Sequence, residues 1–248
     1  MTHKAIASKD SIQKIKYIWY KFFDFDPTLI FEFGARYCED SIYLAEVFSL
    51  SKIFSFECNP TALEHAKLNI KNNQRIKLFE KAVGNYDGKT KFYPINKEKT
   101  ITTWEDGNQG ASSLFRASGK YPIEQYAQDE IEVDICKANT IMRSLNISDV
   151  DILWMDIQGA ELLALEGFEE NLSRVKFIHS EVEFFEIYEA QPLFKELKSF
   201  LTRRNFYFWG YTNKGDFSAD AVFINFNLIK DKLSFFEKLK HYSSLYFN

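Results

Sequence analysis

Apolar residues recur at helical spacing across 11–23 (SIQKIKYIWYKFF), where Ile12, Ile15, Ile18 and Trp19 fall on one face. Ser11 stands in front of them as an N-cap, so the spacing predicts an amphipathic helix that starts there. The period then changes. Residues 29–33 (LIFEF) are a short apolar run ending at Gly34, the pattern of a buried strand entering a turn, and a helix follows over 40–50. Residues 53–57 (IFSFE) repeat the strand, and Asn59-Pro60 supplies an N-cap and a first-turn proline for a helix through about residue 70. A third strand is expected over 75–83, then turn chemistry at 84–88 and a hairpin strand over 90–94.

Residues 95–129 are polar and irregular, after which alternation resumes. Strands are expected at 131–135, 151–155 and 175–182, and helices at 138–145, 159–166 and 192–203. Two last strands, 206–211 and 221–226, flank a loop rich in Asn, Gly and Asp. Strands separated by helices require parallel crossovers, whereas the last pair reads as antiparallel. The pattern therefore predicts a doubly wound α/β sheet with a terminal antiparallel hairpin, in one domain over 1–248. Within it, 1–27 carries the opening helix, 228–248 a closing helix, and 95–129 an insertion or lid loop on the substrate side.

Charge narrows the function. Lysine and arginine total 31 against 35 acidic residues, with no long basic run, which removes the electrostatic footprint of a nucleic-acid binder. Cys38, Cys58 and Cys136 are odd in number and widely spaced, which argues against a disulfide framework and a zinc site, and no metal is assigned. No stretch approaches the ~20 apolar residues of a membrane span, and residues 1–10 lack a signal-like apolar run. A soluble, cytoplasmic protein without a membrane partner is expected.

Three constellations carry chemistry. Phe31-Glu-Phe-Gly-Ala-Arg places an acid, Glu32, and a sharp glycine turn, Gly34, at the carboxyl end of the first strand, where open α/β sheets bind ligands. Glu57 ends the second strand, where a carboxylate accepts hydrogen bonds from the ribose of an adenosine cofactor. Trp154-Met-Asp-Ile-Gln-Gly-Ala-Glu161 sets Asp156 and Glu161 on either side of one strand-to-helix turn at the same sheet edge. Glu161 reads equally as a carboxylate at the positive end of the helix.

Together these residues resemble the FkbM family of S-adenosylmethionine-dependent methyltransferases. The family's D-x-G-A turn stands here as Glu32-Phe-Gly34-Ala35, its E-x-N-P step as Glu57-Cys58-Asn59-Pro60, and its A-V-G…D-G segment as Ala82-Val83-Gly84 with Asp87-Gly88. Its S-S-L stretch is Ser112-Ser113-Leu114, and its D-V-E-G-A-E mark is Asp156-Ile-Gln158-Gly159-Ala160-Glu161. The resemblance covers roughly 28–226. It implies a Rossmann-like class I methyltransferase fold with a seven-stranded sheet, and methyl transfer to a hydroxyl of a sugar or secondary metabolite, a small-molecule or glycan acceptor. It further implies a cofactor set of Glu32, Gly34, Ala35, Arg36, Ser41, Glu57, Cys58, Asn59, Ala82, Val83 and Asp156. In that reading Gly34 and its neighbours face the methionine part, Glu57 the ribose, Asn59 and Ala82 the adenine, and Asp156 the transferred methyl.

For the catalytic base the expected residues are Asp156, Glu181 and Glu161; Glu183 follows, and His179, inside an apolar strand, reads as a core histidine. Three positions depart from the family: Glu32 replaces its Asp, Cys38 a glycine, and Gln158 the glutamate before Gly159. The last removes a charge from the catalytic edge, which keeps open a methyltransferase-like binding module without turnover. An NAD-dependent oxidoreductase or epimerase is the other alternative, opposed by a single glycine where G-x-G-x-x-G is needed.

Overall fold

The computed structural model describes residues 3–246; residues 1–2 and 247–248, the outer ends of the two terminal segments expected to be helical, lie outside the described residues. In chain order the elements are α1 (His3–Phe22), β1 (Leu29–Phe33), α2 (Glu39–Val47), β2 (Lys52–Glu57), α3 (Pro60–Ile70), β3 (Ile76–Glu80), β4 (Ala82–Val83), β5 (Gly88–Phe92) and β6 (Ile131–Cys136). There follow α4 (Ala138–Ser144), β7 (Val150–Met155), α5 (Glu161–Glu166), β8 (Val175–Glu183), α6 (Phe194–Thr202), β9 (Phe206–Lys214), β10 (Ser218–Asn225), α7 (Phe226–Ile229) and α8 (Phe235–Tyr246).

Seven strands form one sheet in the order β3-β2-β1-β7-β8-β10-β9. It is parallel through β8, and β10 runs antiparallel to both β8 and β9. This is the doubly wound, mostly parallel seven-stranded sheet with a terminal antiparallel hairpin that the sequence predicts, in the Rossmann-like arrangement. Alternation along β1 shows how both faces are filled: Ile30 packs with α1 and α2, whereas Phe31 and Phe33 pack with Leu165 of α5 and Phe168 on the other face. On α1 the side chains of Ile12, Ile15, Ile18 and Trp19 are buried as the period requires. Each such side chain contributes on the order of 1.5–3 kcal/mol.

Three local expectations need correction. Ser11 does not cap α1, because the helix begins eight residues earlier at His3; its hydroxyl instead donates to Asp220 Oδ2 at 3.1 Å. The strand expected over 75–83 is two strands, since the chain leaves the main sheet after Glu80. Ala82–Val83 pairs with β6, and β6 with β5, in a separate three-stranded sheet. The expected strand at 131–135 therefore exists but belongs to this small sheet, because alternation reports a buried face without saying which sheet supplies the partner.

The 95–129 segment is irregular but well tied. Bridges join Tyr93 to Ser113, Ile95 to Gln128, Ile101 to Gln125 and Ala117 to Tyr188. At its centre the carboxylate of Glu124 accepts from Asn108 Nδ2 at 2.8 Å, from the Tyr126 hydroxyl at 2.6 Å and from the Thr102 hydroxyl.

Candidate active site

The cleft lies at the carboxyl ends of β1, β2 and β7, as the topology of an open α/β sheet dictates, and is lined by Gly34, Glu57, Asn59, Ala82 and Asp156 among others. Gly34, with φ of +86°, opens the turn after β1. The amides of Gly34 and Ala35 both donate to Phe56 O at 3.0 Å, which folds this turn under β2. Arg36 and Cys38 continue in the left-handed region, at φ of 49° and 59°. Cys38 thus holds the backbone shape glycine adopts most cheaply, while its buried thiol packs with Ala35 and Ala66.

Glu57 is fixed by the backbone. Its Oε2 accepts from Arg36 N at 2.7 Å and its Oε1 from the amides of Cys58 at 2.8 Å and Asn59 at 2.7 Å. Burial pushes the carboxyl up, against the pull of these three donors. A carboxylate offers about four acceptor sites, so one remains for a hydroxyl in the cleft. Asn59 caps α3, accepting from Thr61 N at 3.2 Å, and reaches Ser112 with its amide at 3.3 Å. Ala82 and Val83 line the far wall with Lys81 and Phe92.

Of the residues read from sequence as a cofactor set, Gly34, Ala35, Arg36, Glu57, Cys58, Asn59, Ala82, Val83 and Asp156 come together around this cleft. Glu32 and Ser41 stand behind it, on the α2 side of β1, where the Ser41 hydroxyl donates to Glu32 Oε2 and Ser55 donates to Ser41 at 3.0 Å. Burial raises the Glu32 carboxyl to about 7. Arg36 pairs with Asp106, which ties the donor-side turn to the 95–129 segment.

A group of acids gathers at the ends of β7 and β8. Asp156 N donates to Phe33 O at 3.0 Å, and its Oδ1 accepts from Gln158 Nε2 at 2.6 Å. The same Gln158 nitrogen donates to Glu181 Oε2, so two acids expected to act separately are joined by one amide. Glu161 turns inward: it is 2 % exposed, accepts from Ile157 N at 2.9 Å, and burial lifts it to about 7. Glu183 is also buried and shifted up by burial and by Glu161. His179 is a core residue stacked on Trp154 at 3.9 Å, its Nε2 2.8 Å from Thr212 Oγ1, and burial lowers it to about 3. Sequence reasoning missed Tyr188, whose buried hydroxyl lies 2.8 Å from Gln158 Oε1 and 2.8 Å from Ala111 O. Only the register of distant segments could have revealed it.

Residues 32–208 match the Methyltransferase FkbM domain. The chain belongs to the FkbM methyltransferases. It is 26% identical over 168 residues to the 2-O-methyltransferase NoeI of Sinorhizobium fredii (strain NBRC 101917 / NGR234), covering 67% of each chain. Among solved structures it resembles the fibrillarin of Aeropyrum pernix with natively bound S-adenosyl-L-methionine, at 9% identity over 87% of this chain and 76% of that one, TM-score 0.47. It also resembles the N-terminal domain of EvdMO1, determined in the presence of S-adenosylhomocysteine and D-fucose, at 12% identity over 87% and 82%, TM-score 0.43.

The cofactor of this FkbM methyltransferase is S-adenosylmethionine, and the residues present fit it. Glu57 keeps an acceptor position that would suit a ribose hydroxyl, and apolar Ala82, Val83 and Phe92 would offer a wall for a flat base. Arg36, which lines the same cleft, keeps its Nε buried without a hydrogen-bond partner. When bound, the sulfonium supplies an activated methyl group at the cleft. Among the described residues, no helix is long and apolar enough to cross a membrane.

Proposed function

We propose that this enzyme methylates a hydroxyl of a carbohydrate or secondary metabolite, a small-molecule or glycan acceptor, with Asp156 as the group that takes the hydroxyl proton. The observation that carries the reading is the placement of Asp156. It ends β7 on the lining of the donor cleft, and it faces Glu181 across one amide. A bound donor would supply the methyl group to the acceptor oxygen, whose proton would pass to the Asp156 carboxylate. Glu181, on the neighbouring strand, is the second candidate for that proton, and Glu161 shapes the turn that aims Asp156. In-line displacement gains chiefly from placement and exclusion of water, and the 95–129 segment is the wall suited to both. Tyr121 and Phe217, 5.6 Å apart and edge-on, add an aromatic surface of the kind that packs against sugar rings. NoeI, a 2-O-methyltransferase, is a relative consistent with oxygen as the acceptor atom. The three free cysteines of this chain, Cys38, Cys58 and Cys136, suit a cytoplasmic site of action.

The test is a screen of carbohydrate and metabolite hydroxyls with methyl-labelled cofactor, followed by Asp156→Asn. A positioned base contributes roughly 10²- to 10⁴-fold, so turnover should fall by that factor while the melting temperature and S-adenosylhomocysteine affinity hold. Undiminished turnover in a folded Asp156→Asn protein would move the role to Glu181. Transfer only to nitrogen acceptors would defeat the reading.

A further inference from the structure

We propose that Gln158 is a positioning residue for this transfer: its amide nitrogen gives one hydrogen to Asp156 and the other to Glu181, and so holds both carboxylates ionised and aimed beside the acceptor. The inference rests on the hydroxyl-methylation reading for its catalytic arm only. Four observations converge. The nitrogen bonds both acids, at 2.6 Å for Asp156 Oδ1. The opposite end of the amide is held as well, since the Tyr188 hydroxyl, fully buried, stands 2.8 Å from Oε1 and shares its one hydrogen between Oε1 and Ala111 O. The backbone is held too: Ser113 Oγ donates to Gln158 O at 2.7 Å, and the residue keeps a left-handed φ of 55° that glutamine has no intrinsic reason to adopt. Finally, Asp156 and Glu181 follow the register pair Met155–Ser180 on parallel strands, so the sheet itself sets the two acids side by side.

Two carboxylates in such proximity ordinarily share a proton, because like charges raise each other's affinity for it. A neutral amide with two hydrogens removes the need. Glutamate at 158, the family's residue, cannot donate until it is itself protonated. In this chain it would add a third acid to a group already crowded from several elements. Glu161 of α5 and Glu183 of β8 interact with Asp156; Asp220 of β10 stands opposite Glu181 in register; Tyr121, Tyr126 and Tyr188 border Glu181, and His179 faces Asp156. The charge missing at 158 is thus a condition of this site's working, and Gln158→Glu should impair it.

The experiment has an acceptor-free arm and a catalytic arm. Carbon-13 titration of the side-chain carboxyls, assigned with Asp156→Asn and Glu181→Gln, is run on the wild-type chain with S-adenosylhomocysteine and on Gln158→Glu and Gln158→Met. In the wild type both acids should be ionised at pH 7; in Gln158→Glu the midpoint of the group should rise by at least about one pH unit. With an acceptor in hand, kcat at pH 7 should fall about tenfold or more in both variants, with the acidic limb of kcat/KM displaced upward in Gln158→Glu. Affinity for S-adenosylhomocysteine should stay within about threefold. A shared proton on the wild-type pair at pH 7, equal midpoints in wild type and Gln158→Glu, or full activity in Gln158→Met would each overturn the proposal. Should the wild type methylate no hydroxyl, the function reading fails while the titration still judges the amide.

Discussion

A Cβ built on Gly34 would stand 1.9 Å from the carbonyl oxygen of Asp156. The donor-side turn and the base-bearing turn therefore touch through their main chains. Gly34→Ala adds this collision to a φ of +86° that alanine tolerates poorly. Because the obstacle is backbone, strain must part β1 from β7, and a loss of at least ~2–3 kcal/mol is expected. Denaturant melting should show it, and calorimetry should show S-adenosylhomocysteine binding largely lost. A stable variant with wild-type affinity would mean the two turns are not held in contact.

Glu57 should be the main polar anchor of the donor. Glu57→Gln keeps an oxygen for the backbone but removes the charge, so S-adenosylhomocysteine binding should weaken by about 1.5 kcal/mol or more. The melting temperature should drop modestly, since one of the amides of Arg36, Cys58 or Asn59 loses its acceptor. Titration calorimetry on the two proteins decides it; equal affinities would remove Glu57 from the ribose role.

Glu32 predicts a pH dependence of stability. Its carboxyl is buried and raised from 4.5 to about 7. Between those values the folded protein holds a proton that the unfolded chain releases, so this group's contribution is full below about 4.5 and is lost as pH rises through about 7. The loss approaches ~3 kcal/mol. Glu32→Gln preserves an acceptor for Ser41 and cannot ionise. Relative to wild type it should gain stability between pH 5 and pH 8 in urea melts, and parallel pH profiles would show that Glu32 is already charged. The comparison is differential because Glu161, also raised to about 7, drifts in the same direction in both proteins.

Gly34, Glu57 and Asn59 stand at the cleft where the sequence pattern puts them, and the reason is locality. Gly34, Glu57 and the Asn59 cap act through residues within a few positions or on the next strand, which hydrophobic period and turn chemistry report directly. Glu32 was read as a ligand residue because its place at a strand end looks the same whichever face it takes; the partner that turns it away, Ser41, is visible only once α2 is laid on β1. Gln158 was read as a lost charge for a related reason. Its meaning comes from Glu181 and Tyr188, 23 and 30 positions on.

The 95–129 segment, expected as a lid, should resist protease in the wild type and open when its central acid is removed. Glu124 is 8 % exposed and gathers Thr102, Asn108 and Tyr126. Glu124→Ala removes the acceptor of one buried donor, Asn108, and of two half-buried hydroxyls, Thr102 and Tyr126, and the buried donor alone costs about 1–3 kcal/mol, much of it local to the segment. Limited proteolysis should then cut within 95–129 several-fold faster while the main sheet keeps its melting profile. Cleavage equally fast in both proteins would show that Glu124 does not hold the segment.

The position of β10 between β8 and β9 has a bearing on how the chain comes to be made. The edge strand β9 is synthesised before β10, its one partner strand among the described residues, so the sheet cannot reach its full width on the ribosome until residue 225 has emerged. The first helix completes its docking at the same event. Its apolar face can settle early on β1 and α2, but Lys14 bonds Thr212 O and Ser11 bonds Asp220, contacts spanning 198 and 209 positions, so the part of α1 that meets the hairpin is covered last. Nascent chains stalled before residue 218 should accordingly carry an open β8 edge and an incompletely covered α1, the two surfaces on which a trigger-type chaperone would be expected to act.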